Sequence, residues 1–165
     1  SKKYEDLNII HIDAHTDLRN EYLGESLSHA TVIRRVYDVL GDGKINQFCI
    51  RSGLKEEFEW AKEHTNLEKF TFNNLNKCVS DLKNKPVYIS IDLDVLDPSI
   101  MSGTGTPEPG GIDFHQMLEI IQQLSALDNV VGFDIVELSP KHDASGVSTA
   151  VACKTLRELT LAVMS

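Results

Sequence analysis

Short, continuous apolar runs at residues 7–12, 48–50, 70–72, 87–93 and 130–136 are separated by stretches in which apolar residues recur at helical spacing. A strand that is apolar at every position, rather than at every second one, needs cover on both of its faces. Parallel sheets with crossover helices on both sides supply that cover, so the alternation predicts an α/β fold with a mainly parallel sheet. The first helical stripe is Val32, Ile33, Val36, Val39 and Leu40, followed by Gly41 where a helix C-terminus favours glycine. A second, Leu54, Phe58 and Ala61, stands behind Ser52 as an N-cap. Asp113 and Gln116 have capping-box spacing ahead of Met117, Ile120, Ile121 and Leu124, and a last helix is predicted over residues 148–161. All these stripes read as core.

The chain's 165 residues match the length of one domain, and a 41% hydrophobic share supplies its core without staples. Twenty-five acids against 16 Lys and Arg leave a net charge of −9 with no basic cluster, which excludes a nucleic-acid partner. Cys49, Cys78 and Cys153 form no C-x-x-C pair and read as buried thiols of a reducing compartment. No apolar stretch approaches the ~20 residues that cross a bilayer, so no membrane partner is expected and the location is read as cytoplasmic.

The chemistry gathers at strand ends. In His11-Ile12-Asp13-Ala14-His15-Thr16-Asp17, four polar side chains alternate directly after an apolar strand and so project to one side. Ser90-Ile91-Asp92-Leu93-Asp94 repeats the arrangement after a second strand. Open α/β sheets place ligands at such carboxyl ends. Four carboxylates brought together raise one another's pKa and are costly to desolvate, so they need cations. Two divalent ions match the charge of Asp13, Asp17, Asp92 and Asp94, with His15 as a neutral ligand. An oxygen-rich set with one imidazole suits Mn²⁺ or Mg²⁺, and Mn²⁺ is the first choice. His11 reads as a core or supporting histidine. The segment Gly103-Thr104-Gly105-Thr106-Pro107-Glu108-Pro109-Gly110-Gly111 lacks a phosphate-loop pattern and reads as a rigid cleft wall, and Glu137 ends the last strand as a possible partner for a cationic substrate.

Taken together, residues 11–17, 90–94, 103–111 and Asp134-Ile135-Val136-Glu137-Leu138-Ser139-Pro140 resemble the signatures of the ureohydrolases, the arginase and agmatinase family, in order and spacing over nearly the whole chain. The resemblance implies a three-layer αβα fold in which residues 1–165 are one N-terminally truncated catalytic domain, the later five strands of an eight-stranded sheet, with an unprotected edge where the missing part docks. It implies two Mn²⁺ ions and hydrolysis of a guanidino group to urea by a hydroxide bridging them. Asp13 and Asp92 match carboxylates that bridge both metals, His15 and Asp94 match ligands of one ion, and Asp17 a ligand of the other. Glu137 matches the acid that holds the guanidinium, Thr106 a neighbouring loop threonine, and His29 in Ser28-His29-Ala30-Thr31 the proton-shuttling histidine.

An upstream Gly-Gly-Asp-His-Ser signature, which supplies a histidine ligand in the family, is absent, so an inactive metal-binding fragment is the alternative to an enzyme. Arg19 stands where arginases carry an asparagine that reads the amino-acid end of arginine. Ser28-His29, Glu108-Pro109-Gly110 and residues 137–140 are similar to agmatinase-type members. The resemblance therefore implies conversion of agmatine to putrescine and urea, with formimidoylglutamase, guanidinobutyrase and arginase activities as alternatives. It also implies a homo-oligomer, a trimer or hexamer.

Overall fold

The computed structural model describes residues 3–164; residues 1, 2 and 165, the outermost of the expected domain, lie outside it. Five strands form one parallel sheet: β1 (Asn8–Ile12), β2 (Ile45–Ile50), β3 (Asn66–Lys69), β4 (Val87–Asp92) and β5 (Val130–Val136). Their order is β3-β2-β1-β4-β5. From β1 the chain moves outward through β2 to β3, then returns to the other side of β1 with β4. The order therefore reverses between β1 and β4, and the crevice at their carboxyl ends is where an open α/β sheet binds its ligand.

Helices α1 (Val32–Leu40), α2 (Lys55–His64), α3 (Leu75–Leu82), α4 (Phe114–Leu124) and α5 (Val147–Met164) connect and flank the strands. Alternation along β1 assigns the two faces. Ile10 and Ile12 join a core with Leu75 and Val79 of α3, Met117 and Ile120 of α4 and Leu159 of α5. Ile9 points the other way, into a smaller core with Ile33 of α1 and Ala61 of α2. The result is the expected three-layer αβα arrangement. The capping box of α4 forms in both directions: Gln116 N donates to Asp113 Oδ1 and Asp113 N to Gln116 Oε1, each at 2.9 Å.

Several elements differ from expectation. β2 begins at Ile45, because Asn46 and Gln47 are buried with their amides satisfied, Asn46 Nδ2 by Ile9 O and Gln47 Nε2 by Thr16 O. β3 occupies residues 66–69 rather than 70–72. Phe70, at φ 63° and largely exposed, ends the strand, and an edge strand needs no continuous apolar run. Helix α3 provides the crossover from β3 to β4. Ser52 does not cap α2: Glu57 Oε2 accepts the Leu54 N–H at 2.6 Å instead, and Ser52 Oγ donates to Glu108. The stripe of α1 is not wholly core, since Val32 and Val39 border an open groove beside Leu7, Ile9 and Tyr88. Of the thiols, Cys49 is buried and Cys153 is exposed, and all three are free. Among the described residues no helix is long and apolar enough to cross a membrane.

Candidate metal centre

The loops after β1, β2, β4 and β5 enclose a cleft of about 810 Å³ whose walls include Asp13, His15, Asp17, His29, Asp92, Asp94, Thr106 and Glu137. All the site residues expected from the sequence thus border one space. Ligand-type atoms of Asp13, His15 and Asp94 lie within 4.8 Å of one another, and so do those of His11, Asp13 and Asp17. Asp13 is shared by the two groups. Asp92 lies beside them, outside both, with its Oδ1 accepting the Asp94 N–H at 2.9 Å.

Backbone geometry aims these acids. Asp13 Oδ1 accepts the His15 N–H at 2.6 Å, and Ala14 N donates to Asp94 Oδ1 at 3.3 Å, which ties the end of β1 to the end of β4. Arg51, just past β2, donates to the backbone carbonyls of Asp94 and Glu108, each at 2.7 Å, and to that of Val95 at 3.1 Å. One guanidinium therefore joins the loop carrying Asp94 to the wall at 103–111. Asp17 turns its carboxylate inward from a left-handed φ of 53°. Gly53 permits this packing, because a Cβ there would come within 2.7 Å of Thr16 Cγ2.

Electrostatics sets the terms for occupancy. Burial, then the charge of Asp13, pushes the Asp17 carboxyl up to about 7, and burial with Asp13 and Asp94 pushes Asp92 up to about 10. Burial works against the charged form of His15, but its contacts with Asp13 and Asp94 outweigh it and lift the imidazole to about 11. Burial also opposes ionisation of Asp13, and the neighbouring His11 overcomes it, holding that carboxyl well below the ordinary range. Protons thus balance the clustered acids, and a dication could displace them.

The donor atoms fit such an ion. His15 Nδ1 approaches Asp94 Oδ2, and His11 Nε2 approaches Asp13 Oδ2, each at 2.9 Å, yet both buried oxygens lack a partner in hydrogen-bonding geometry. Donors about 2.9 Å apart can share one cation once the imidazoles give up their protons. Gln47 Nε2 lies 3.2 Å from His11 Nδ1 and donates to Thr16 O, so His11 is held from behind, in keeping with a supporting role beside Asp13.

The outer cleft carries the remaining candidates. Glu137 follows β5 at φ 62°, with Oε2 so close to Gly105 that a Cβ on that glycine would sit 3.3 Å away. Ser139 N donates to Gly103 O, Gly103 N to Ser148 Oγ, and His142 Nδ1 contacts Thr104 O, so the wall bearing Thr106 is pinned beside Glu137. His29 is exposed at the rim, edge-on to Tyr22. Arg51, and Glu57 in its contacts with Thr16 and Leu18, escape a motif reading because these partners are distant in sequence. Glu108 lay within the loop already read as a wall; its carboxylate takes the Ser52 hydroxyl at 2.8 Å and faces His15 Nε2 at 3.7 Å.

Residues 1–162 match the model of the arginase family. The chain belongs to the arginase family. It is 50% identical over 164 residues to the agmatinase of Bacillus anthracis, covering 98% of this chain and 57% of that protein. A solved structure from Clostridium difficile superposes with a TM-score of 0.95 at 53% identity, covering 98% of this chain and 60% of the other. The agmatine ureohydrolase of Thermoplasma volcanium gives 0.83 at 36% identity, with 97% and 56% covered. This arginase-family chain spans a little over half the length of the relatives it matches. The family depends on a binuclear metal centre, and the two groups sharing Asp13 could hold one here.

Proposed function

We propose that the chain forms the metal-binding part of an agmatinase, hydrolysing agmatine to putrescine and urea. The observation that carries this reading is the meeting of two strand-end acid sets at the β1/β4 switch point, with Asp13 common to both ligand groups. Asp13, His15, Asp17, Asp92 and Asp94 hold two Mn²⁺ ions in this proposal. When bound, the metals supply an attacking water whose pKa lies near neutrality. Glu137 receives the planar guanidinium and Thr106 flanks it, so the electrophilic carbon is presented in one orientation. His29, on the open rim, gives a proton to the departing amine. The whole protein belongs to a cytoplasmic, trimeric or hexameric enzyme acting on a small guanidino substrate.

A urea-release assay with added Mn²⁺ on the protein carrying this sequence tests the reading, with agmatine, arginine, guanidinobutyrate and formimidoylglutamate as substrates. Agmatine is expected to be preferred. Preference for one of the other compounds would reassign the substrate, and no urea from any of them would favour an inactive metal-binding species.

A further inference from the structure

One buried acid beside the cleft has no part in the chemistry above. Glu57, on α2, is 5% exposed and stands outside both groups of ligand candidates. Its Oε1 accepts the Thr16 hydroxyl at 2.8 Å and the Leu18 N–H at 3.1 Å. Its Oε2 accepts the Leu54 N–H at 2.6 Å and faces Arg19 Nε at 3.7 Å. A single carboxylate therefore grips the residues on either side of Asp17.

That grip falls where the backbone needs it. Asp17 has φ 53°, a region an L-residue with a Cβ leaves unless its surroundings hold it. The Leu18 N–H belongs to the peptide that follows Asp17, so pointing it at Glu57 fixes that peptide plane and with it ψ of Asp17. The Thr16 hydroxyl anchors the preceding residue to the same oxygen. Asp17 O accepts the Arg34 N–H at 3.1 Å, and Thr16 O accepts Gln47 Nε2 at 2.9 Å. These contacts seat the carbonyls, while Glu57 seats the opposite side of the same turn.

We propose that Glu57 is a positioning residue that holds Asp17 in its ligating conformation. This rests on the reading of Asp17 as a metal ligand. Both of its oxygens are taken by donors, Oε1 at the turn and Oε2 at the start of α2, and Glu57 belongs to neither group of ligand candidates. The proposal also accounts for an acid, rather than any small polar residue, at this place. Two donors meet one oxygen and the helix-capping N–H meets the other, which a carboxylate alone accepts without presenting a donor of its own.

The test is a Mn²⁺ titration, following free Mn²⁺ by electron paramagnetic resonance, on the wild-type protein and on Asp17→Ala, Glu57→Ala, Glu57→Gln and Thr16→Val. Asp17→Ala identifies the Asp17-dependent component of binding by removing it. Glu57→Ala is expected to weaken that component by roughly 10- to 100-fold, the usual cost of losing an outer-shell partner. The component belonging to Asp13, His15 and Asp94 should stay near its wild-type strength. Glu57→Gln keeps an oxygen for Thr16 and Leu18 while losing the helix cap, so it should recover most of the binding. Thr16→Val keeps the cap and loses one flank, and should weaken the Asp17 component alone. In the metal-free protein, hydrogen exchange at the Leu18 amide should quicken in Glu57→Ala.

Unchanged Asp17-dependent binding in Glu57→Ala overturns the proposal, as does equal weakening of both components or a Glu57→Gln variant as impaired as Glu57→Ala. If Glu57→Ala does not fold, Thr16→Val decides, and wild-type binding there is contrary. Absence of Mn²⁺ binding in the wild type, or its survival undiminished in Asp17→Ala, would instead defeat the reading of the metal centre itself.

Discussion

Asp17 and Glu137 are both non-glycine residues with positive φ, and both face the cleft. Each such residue stores about 1–3 kcal/mol of backbone strain that the surrounding contacts must outweigh, and strain of this kind concentrates where a side chain must be aimed. The two acids have different tasks in the proposed mechanism, and variants can separate them. Glu137→Ala should bind Mn²⁺ as the wild type does while losing activity by roughly a hundredfold or more, through lost orientation of the guanidinium. Asp92→Ala should lose metal binding and activity together. Parallel measurements of Mn²⁺ binding and urea release check this, and equal metal loss in both variants would contradict the division. At this scale the acids of residues 11–17 and 90–94 were readable because alternation after an apolar strand projects them together. Glu57 was not, since an acid on a charged helix looks like a solvated residue until the fold brings it to a turn 41 residues away in sequence.

Among the elements, the segment from the end of β4 to α4 depends on Asp97. Its Oδ1 accepts the Ser99 N–H at 3.0 Å, and its Oδ2 accepts those of Gly110 and Gly111 at 2.9 and 3.2 Å. Gly111 has no space for a side chain, since a Cβ there would lie 2.5 Å from Asp97 N. Ser99, then the glycine N–H groups, hold the Asp97 carboxyl down at about 2. A folded-state value below the unfolded ~3.9 stabilises the protein above that pH, and this contribution is lost as pH falls through about 2. Asp97→Asn should therefore lower the urea midpoint near neutrality, with the difference from wild type shrinking on acidification from about pH 4 to about pH 2. A constant difference across that window would show that the charge is not what binds the loop.

The same scale shows why some elements were legible and others were not. β5 was bounded correctly, and the capping box placed the start of α4, because local pattern and tertiary role agree there. β3 was misplaced because, as an edge strand reading Asn-Leu-Glu-Lys, it lacks an apolar run. The start of β2 was hidden by Asn46 and Gln47, polar residues whose burial depends on partners contributed by other segments.

For the molecule as a whole, the sheet order determines where chemistry can happen. Because the chain reverses at β1 and β4, the two acidic strand ends emerge side by side, flanked by α1 and α2 on one face and α3 to α5 on the other. The layer arrangement was predictable from doubly covered strands, whereas the open groove along α1 was not, because exposure of Val32 and Val39 depends on what packs over the sheet rather than on helical periodicity. The central claim is that the clustered aspartates are a cation site. Thermal unfolding with and without Mn²⁺ tests it most directly, since an ion that binds only the folded protein raises the midpoint. At a hundredfold excess over Kd each site should add about 2.7 kcal/mol, a rise of roughly 5–10 °C for a chain of this size. Asp13→Ala, which removes the carboxylate common to both groups, should abolish most of that rise. A wild-type midpoint indifferent to Mn²⁺, or an equal rise in Asp13→Ala, would contradict the account.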